Sequence, residues 1–213
     1  MPAYIGGVEA LAFKEVSVHR NNLGKGLPTV QGTVLLNDPK DGTLLAIMDG
    51  ATLTAIRTGA TTGLATKYLA RGDSEILGIF GAGTQAKTQL EAISHVRQIS
   101  LVKLFDINKT RAETFSVEMS EALGIDIVLT DNPREALDGT DMIVTATTSK
   151  TPVFRGEWVT QGTHINGIGS HTPDARELDT ETIMKSILVV DSREACLEEA
   201  VSYTHLRAHE TGR

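Results

Sequence analysis

The chain has one cysteine, Cys196, so no intrachain disulfide can staple it. A lone thiol fits a reducing compartment, and the expectation is a cytoplasmic protein. No apolar run is long enough to span a bilayer, and the first residues lack the basic-then-apolar pattern of a secretory signal. Clusters of lysine and arginine are missing too. The formal net charge is −7 without a block of like charges, which argues against a nucleic-acid surface. His19, His95, His164, His171, His205 and His209 are scattered without ligand spacing, so no metal site is expected. What is present is ordinary globular composition, 40% apolar and 22% charged. The length of 213 residues allows one full α/β domain and something smaller.

From Glu75 onward, short apolar runs alternate with amphipathic stretches. Strands are expected at Ile76–Phe80, Leu101–Phe105, Ile125–Leu129, Met142–Thr145, His164–Ile168 and Ile187–Val190. Helical spacing links Ala86, Leu90, Ile93 and Val96, and then Ala112, Phe115, Met119 and Leu123. Asp131 or Asn132 caps a short helix with Pro133 in its first turn, and "DSRE" at Asp191–Glu194 reads as a capping box. This alternation predicts βαβ units and a mostly parallel sheet covered on both faces. The first seventy residues read differently. Strands are expected at Phe13–Val18, Gly32–Leu36 and Leu44–Met48, followed by a helix over Thr52–Ala70 with Leu53, Ile56, Leu64 and Leu69 on its apolar side. Three strands and one helix are a thin core for a domain.

"GAGTQA", Gly81 to Ala86, matches the G-x-G-x-x-G/A fingerprint between a strand and a helix. Gly81 permits the tight turn, Gly83 lets backbone approach a pyrophosphate, and Ala86 allows close helix–strand packing. The helix N-terminus then offers N–H groups and its dipole to phosphate. Asp106 closes the second strand near the spacing of a ribose ligand, which favours NAD over NADP, although Lys109 and Arg111 lie close by. The lesser alternative for Asp106 is a loop carboxylate capping the next helix. The fold class is therefore α/β, a Rossmann-type doubly wound parallel sheet with a second, incomplete α+β domain.

Arg57, in "LTAIRTGATTGLA", reads either as a solvated helix arginine or, among small apolar neighbours, as an anion ligand. Lys14 reads either as a ligand or as an edge-strand lysine that discourages aggregation. His171 follows "INGIGS" and could move a proton or fix the turn before Pro173. Gly167 and Gly169 allow ligand approach at a strand's carboxyl end. The hydroxyls of Thr145–Ser149 could touch a cofactor or satisfy loop backbone.

These pieces in this order resemble the ornithine cyclodeaminase/mu-crystallin family. The matching stretches include "MPAYIGG", "GLPTVQG", "MDGATLTAIRTGATTGLAT", "GIFGAGTQA", "DMIVTATTS" and "INGIGSHTPDARELD", from Met1 to about Ala200. The resemblance implies a nicotinamide-dependent enzyme acting at the α-carbon of an amino acid or imino acid. It makes the expected activity ornithine cyclodeaminase-like, with alanine dehydrogenase or ketimine or pyrroline-2-carboxylate reductase chemistry as the nearest rival and a mu-crystallin-like nucleotide binder without turnover as the alternative of another class. It implies Lys14 and Arg57 as substrate ligands, Thr29 near the nicotinamide, and Thr84, Gln85, Asp106, Thr147, Ile168, Gly169 and Ser170 as cofactor contacts. Residues 1–73 would then be part of a substrate-binding and homodimerisation domain, 74–200 the NAD-binding domain, and 201–213 a tail unlike the family. His171 stands where the cyclodeaminase pattern has a catalytic aspartate. Family members also carry an earlier N-terminal segment with a further substrate arginine, so the chain as given is expected to be a fragment that does not turn over.

Overall fold

The computed structural model describes residues 2–19, 22, 25–169 and 176–192. The chain divides into two compact units, Met1–Thr58 and Gly59–Arg213. The division falls inside the long helix α1 (Gly50–Leu69) rather than after it.

The first unit is an antiparallel four-stranded sheet in the order β1-β2-β3-β4, from Pro2–Ile5, Ala10–Val18, Val30–Asn37 and Leu44–Asp49. The first of these strands was not expected. All four of its residues are exposed, so it carries no burial pattern to read. It pairs with Ala10–Phe13 of β2, and Lys14, the next residue, pairs with Val34 on the β3 side. Helix α1 opens where the Asp49 carboxylate accepts the N–H of Thr52 at 2.6 Å.

The apolar side assigned to α1 is reversed. Leu53, Ile56, Leu64 and Leu69 are exposed, whereas Ala55, Gly59, Thr62, Gly63 and Thr66 are buried. Close approach explains this. A Cβ on Gly59 would lie 2.5 Å from the Thr88 carbonyl oxygen of the following helix. Small residues let two helix backbones meet, and a leucine face could not.

The second unit holds a parallel five-stranded sheet in the order β7-β6-β5-β8-β9. Its strands are β5 (Ile76–Phe80), β6 (Leu101–Phe105), β7 (Asp126–Leu129), β8 (Met142–Thr145) and β9 (His164–Gly167). The helices are α2 (Thr84–Ser94), α3 (Lys109–Leu123), α4 (Pro133–Leu137) and α5 (Thr180–Lys185). Alternation along the strands feeds two cores. Leu77, Ile79, Met142 and Val144 join Leu90, Ile93 and Phe115 in one. Phe80 and Ile143 join Leu137, Phe154 and Ile183 in the other. Burial on both faces is what a central parallel strand requires. Ile187–Val190, expected as a strand, is irregular, and the unforeseen α5 precedes it. The capping-box reading at Asp191–Glu194 ends outside the described residues. Among the described residues, no helix is long and apolar enough to cross a membrane.

Candidate functional site

Because the five strands are parallel, β5, β6, β8 and β9 end on one edge of the sheet. The chain moves from β5 outward through β6 and β7, then returns to β8 on the other side of β5. That reversal opens a crevice at the strand ends, where open α/β sheets bind ligands.

Gly81 turns the chain out of β5 with φ +97°, and a Cβ there would lie 2.6 Å from the Ala146 carbonyl oxygen. Only glycine meets both demands without strain. Gly83, by contrast, has open space where a Cβ would project. It stands at the N-cap of α2, whose first turn receives no side-chain cap among the described residues. Space beside backbone N–H groups at a helix N-terminus suits a phosphate. Thr84 and Gln85 form that first turn, and Ala86 is fully buried beneath it. The Gln85 Oε1 atom is buried and has no hydrogen-bond partner among the described residues.

Asp106 follows β6, and its side chain is 2% exposed. It accepts the Ala82 N–H at 2.7 Å and the Asn108 N–H at 2.8 Å. The Arg111 guanidinium donates to both carboxylate oxygens, at 2.8 and 2.9 Å. Burial works to raise its pKa, but the Arg111, Asn108 and Ala82 donors prevail and hold it below the ordinary carboxylate range. The helix-capping alternative does not hold, since Asn108 caps α3 by accepting from Arg111 N–H. Lys109 pairs with Asp131 at 3.0 Å instead.

Across the crevice, the loop after β8 carries Thr147 and the segment after β9 carries Ile168 and Gly169. Sequence reading missed the residue that joins them. Glu177 is fully buried. Its Oε1 accepts the Thr147 N–H at 2.6 Å and hydroxyl at 2.7 Å; its Oε2 accepts the Thr145 hydroxyl at 2.8 Å and the Gly169 N–H at 2.6 Å. The expected role of Gly169 also changes. The place of its Cβ is filled by the Thr147 carbonyl oxygen, 2.2 Å away, and the Glu177 carboxyl, so the absent side chain admits protein rather than ligand. No periodicity marks Glu177, because a lone glutamate in a polar stretch reads as surface. Ser170 and His171 lie outside the described residues.

In the first unit, Lys14 Nζ donates to Thr54 Oγ1 at 2.7 Å, and that hydroxyl donates to the Gly50 carbonyl at 2.6 Å. Burial lowers the Lys14 pKa, and the nearby Arg57 charge lowers it further. The structure thus brings Lys14 and Arg57 together, one from β2 and one from α1. Arg57 is exposed, not enclosed by the small apolar neighbours that the sequence suggested. Thr29 precedes β3, and its carbonyl accepts the His19 N–H at 2.8 Å.

Residues 1–207 match the Ornithine cyclodeaminase/mu-crystallin family. The chain belongs to that family. The match continues past Ala200, where the resemblance read from motifs stops. An alanine dehydrogenase of Archaeoglobus fulgidus is 44% identical over 91% of this chain and 59% of its own length. The ketimine reductase mu-crystallin of Rattus norvegicus is 40% identical over 94% of this chain and 63% of its own. Among solved structures, Thermococcus litoralis Delta(1)-pyrroline-2-carboxylate reductase with NADH and L-proline superposes with a TM-score of 0.94 at 50% identity, covering 99% of this chain and 65% of that one. An archaeal alanine dehydrogenase dimer with bound NAD gives a TM-score of 0.89 at 40% identity, covering 99% and 64%. The chain therefore spans about six-tenths of the length of the relatives it matches.

Proposed function

We propose that this protein is an NAD-dependent oxidoreductase that moves hydride at the α-carbon of a small amino acid or its imino acid. The carrying observation is the crevice at the sheet's switch point, with a turn that only glycine fits, an open glycine at a helix N-terminus without a side-chain cap, and a carboxylate closing the next strand. These residues fit a dinucleotide. Gly83 and the first turn of α2 would hold the pyrophosphate, Asp106 the adenosine ribose, and Thr147 with Ile168 and Gly169 the nicotinamide end. NAD supplies a two-electron hydride acceptor, and NADH the donor, for this chemistry.

The first unit contributes paired cations, which suit a substrate carboxylate. Arginine's fork favours bidentate binding. Lys14, with its lowered pKa, is better placed than an ordinary lysine to exchange a proton at Nζ. In the oxidative direction the α C–H bond breaks as hydride leaves, the amine nitrogen pair forms the C=N bond, and a proton leaves nitrogen. Imine reduction is the reverse. Residues 1–73 would serve substrate binding and dimerisation and 74–200 the cofactor. Exposed Phe13, Val16, Val18 and Ile47 on the first sheet support a homodimer, as formed by the archaeal alanine dehydrogenase.

The relatives named alanine dehydrogenase and pyrroline-2-carboxylate reductase, at 40 to 50% identity, favour oxidoreductase chemistry over cyclodeamination. A lysine cyclodeaminase structure at 33% identity keeps ornithine-type cyclodeamination as the second reading. NADH absorbance should fall with a cyclic imino acid, or with pyruvate and ammonia, and rise with L-proline or L-alanine and NAD. Conversion of L-ornithine to proline without net NADH would select the cyclodeaminase. Cofactor binding with no turnover of any of these would instead indicate a mu-crystallin-like binding protein.

A further inference from the structure

Glu177 is a buried carboxylate that the chemistry above does not use. It lies just past Arg176, the first residue described after the segment 170–175, and shares its loop with Leu178, which is buried in the core. Among the described residues, four donors converge on it from two separate strand ends: the Thr145 hydroxyl, the Thr147 N–H and hydroxyl, and the Gly169 N–H. Two of these are backbone groups that can only donate, one on each oxygen. The same carboxyl fills the space beside Gly169 that any larger residue would need. These hydrogen bonds reach the β8 and β9 ends, whereas the glycine turn of the adenosine half has supports of its own. Gly81 is fixed by its own N–H to the Phe105 carbonyl at 2.9 Å, and Ala82 by Asp106.

We propose that Glu177 is a positioning residue that clamps the β8 and β9 strand ends into one rigid wall for the nicotinamide half of the cofactor. The clamp does not touch the reacting atoms. It sets where the Thr147 and Gly169 backbones stand, and hydride transfer is sensitive to misplacements of about 1 Å. The assignment rests on the NAD reading above.

The test compares two ligands on the full chain. NADH spans the whole crevice, while ADP-ribose keeps the adenosine and pyrophosphate and lacks nicotinamide. Glu177→Gln keeps the size but turns one oxygen into an NH2 donor facing a backbone N–H. Binding by calorimetry and the fluorescence of bound NADH should show NADH weakened about tenfold or more, with altered emission, and ADP-ribose unchanged within about twofold. Should Glu177→Gln not fold, Thr145→Val keeps the carboxylate and removes one buried donor to it; it should show the same selective loss, about threefold. Equal loss of both ligands, or undiminished NADH binding by a folded variant, overturns the clamp alone. A wild-type chain that binds neither ligand overturns the cofactor reading and the clamp with it.

Discussion

On the proposed dinucleotide reading, Asp106 and Arg111 together would govern cofactor choice. The carboxylate repels a 2′-phosphate, but it is already engaged by Arg111 through both oxygens. A ribose hydroxyl must therefore share Asp106 with, or displace, an arginine that a 2′-phosphate would welcome. NAD should bind more tightly than NADP, with a modest margin. Titrating both cofactors, Arg111→Ala should widen the margin and Asp106→Ala should narrow or reverse it. NADP binding equal to NAD and indifferent to Asp106 would sink this assignment. Arg57 makes a sharper demand. If it holds the substrate carboxylate, Arg57→Ala should lower kcat/KM by roughly tenfold to a hundredfold, from a charge-assisted pair of about 1.5–3 kcal/mol. NAD affinity should stay put. Turnover unchanged by the substitution would return Arg57 to an ordinary solvated helix residue. Spacing made Asp106 a candidate ribose ligand, because the distance from a glycine turn to the next strand end is set by one βα unit. Its occupation by Arg111 depends on side-chain geometry, which spacing does not encode.

Among the elements, those with a strong burial pattern were legible and those without were not. Ile76–Phe80, Leu101–Phe105 and Met142–Thr145 match their expected bounds because their residues are mostly buried and feed packed cores. Asn132 and Pro133 marked α4 through cap chemistry, with Asn132 accepting the Arg134 and Glu135 N–H groups. β1, wholly exposed, and α5, six residues long, carry too little apolar signal to read. In α1, apolar periodicity misled, because the buried face is chosen by close approach of backbones rather than by hydrophobicity. Two substitutions separate these forces. Gly59→Ala presses a methyl against the Thr88 carbonyl, a backbone atom that cannot swing aside, and should cost about 1–3 kcal/mol in urea unfolding. Leu64→Ser, on the exposed side, should stay within about 0.5 kcal/mol at dilute protein concentration. The opposite ranking would mean that the α1 faces are assigned backwards. At the other end of α1, Arg97 donates to the Thr66, Lys67 and Ala70 carbonyls, so one side chain serves several acceptors at the helix terminus.

For the whole molecule, acid stability should fall in two separable steps. The first belongs to His164 at the start of β9. Burial pushes its imidazole below the ordinary value; a hydrogen bond with Asn166 at 3.2 Å works against that, and the Arg97 charge adds to it. With the folded pKa below the unfolded value of about 6.5, the unfolded chain takes up the proton first as pH falls. The stability linked to His164 is thus complete above about pH 6.5 and is lost as pH drops toward the folded value. The second step belongs to Asp106, Asp141 and Asp179, each held below the ordinary carboxylate range although burial alone would raise it. Asp141 is held down by the Glu75 and Ile76 N–H groups and Arg71, and Asp179 by Thr182 and Gly156. Their contribution is complete above about pH 4 and disappears as pH falls through their depressed folded values. Urea midpoints measured across this range should show a shallow decline beginning near pH 6.5 and a steep one below about pH 4. His164→Gln should abolish the first step and spare the second, while Asp141→Asn should lower stability at neutral pH and flatten the second. A first decline that survives His164→Gln would assign it to another group and leave the buried imidazole without a part in acid unfolding.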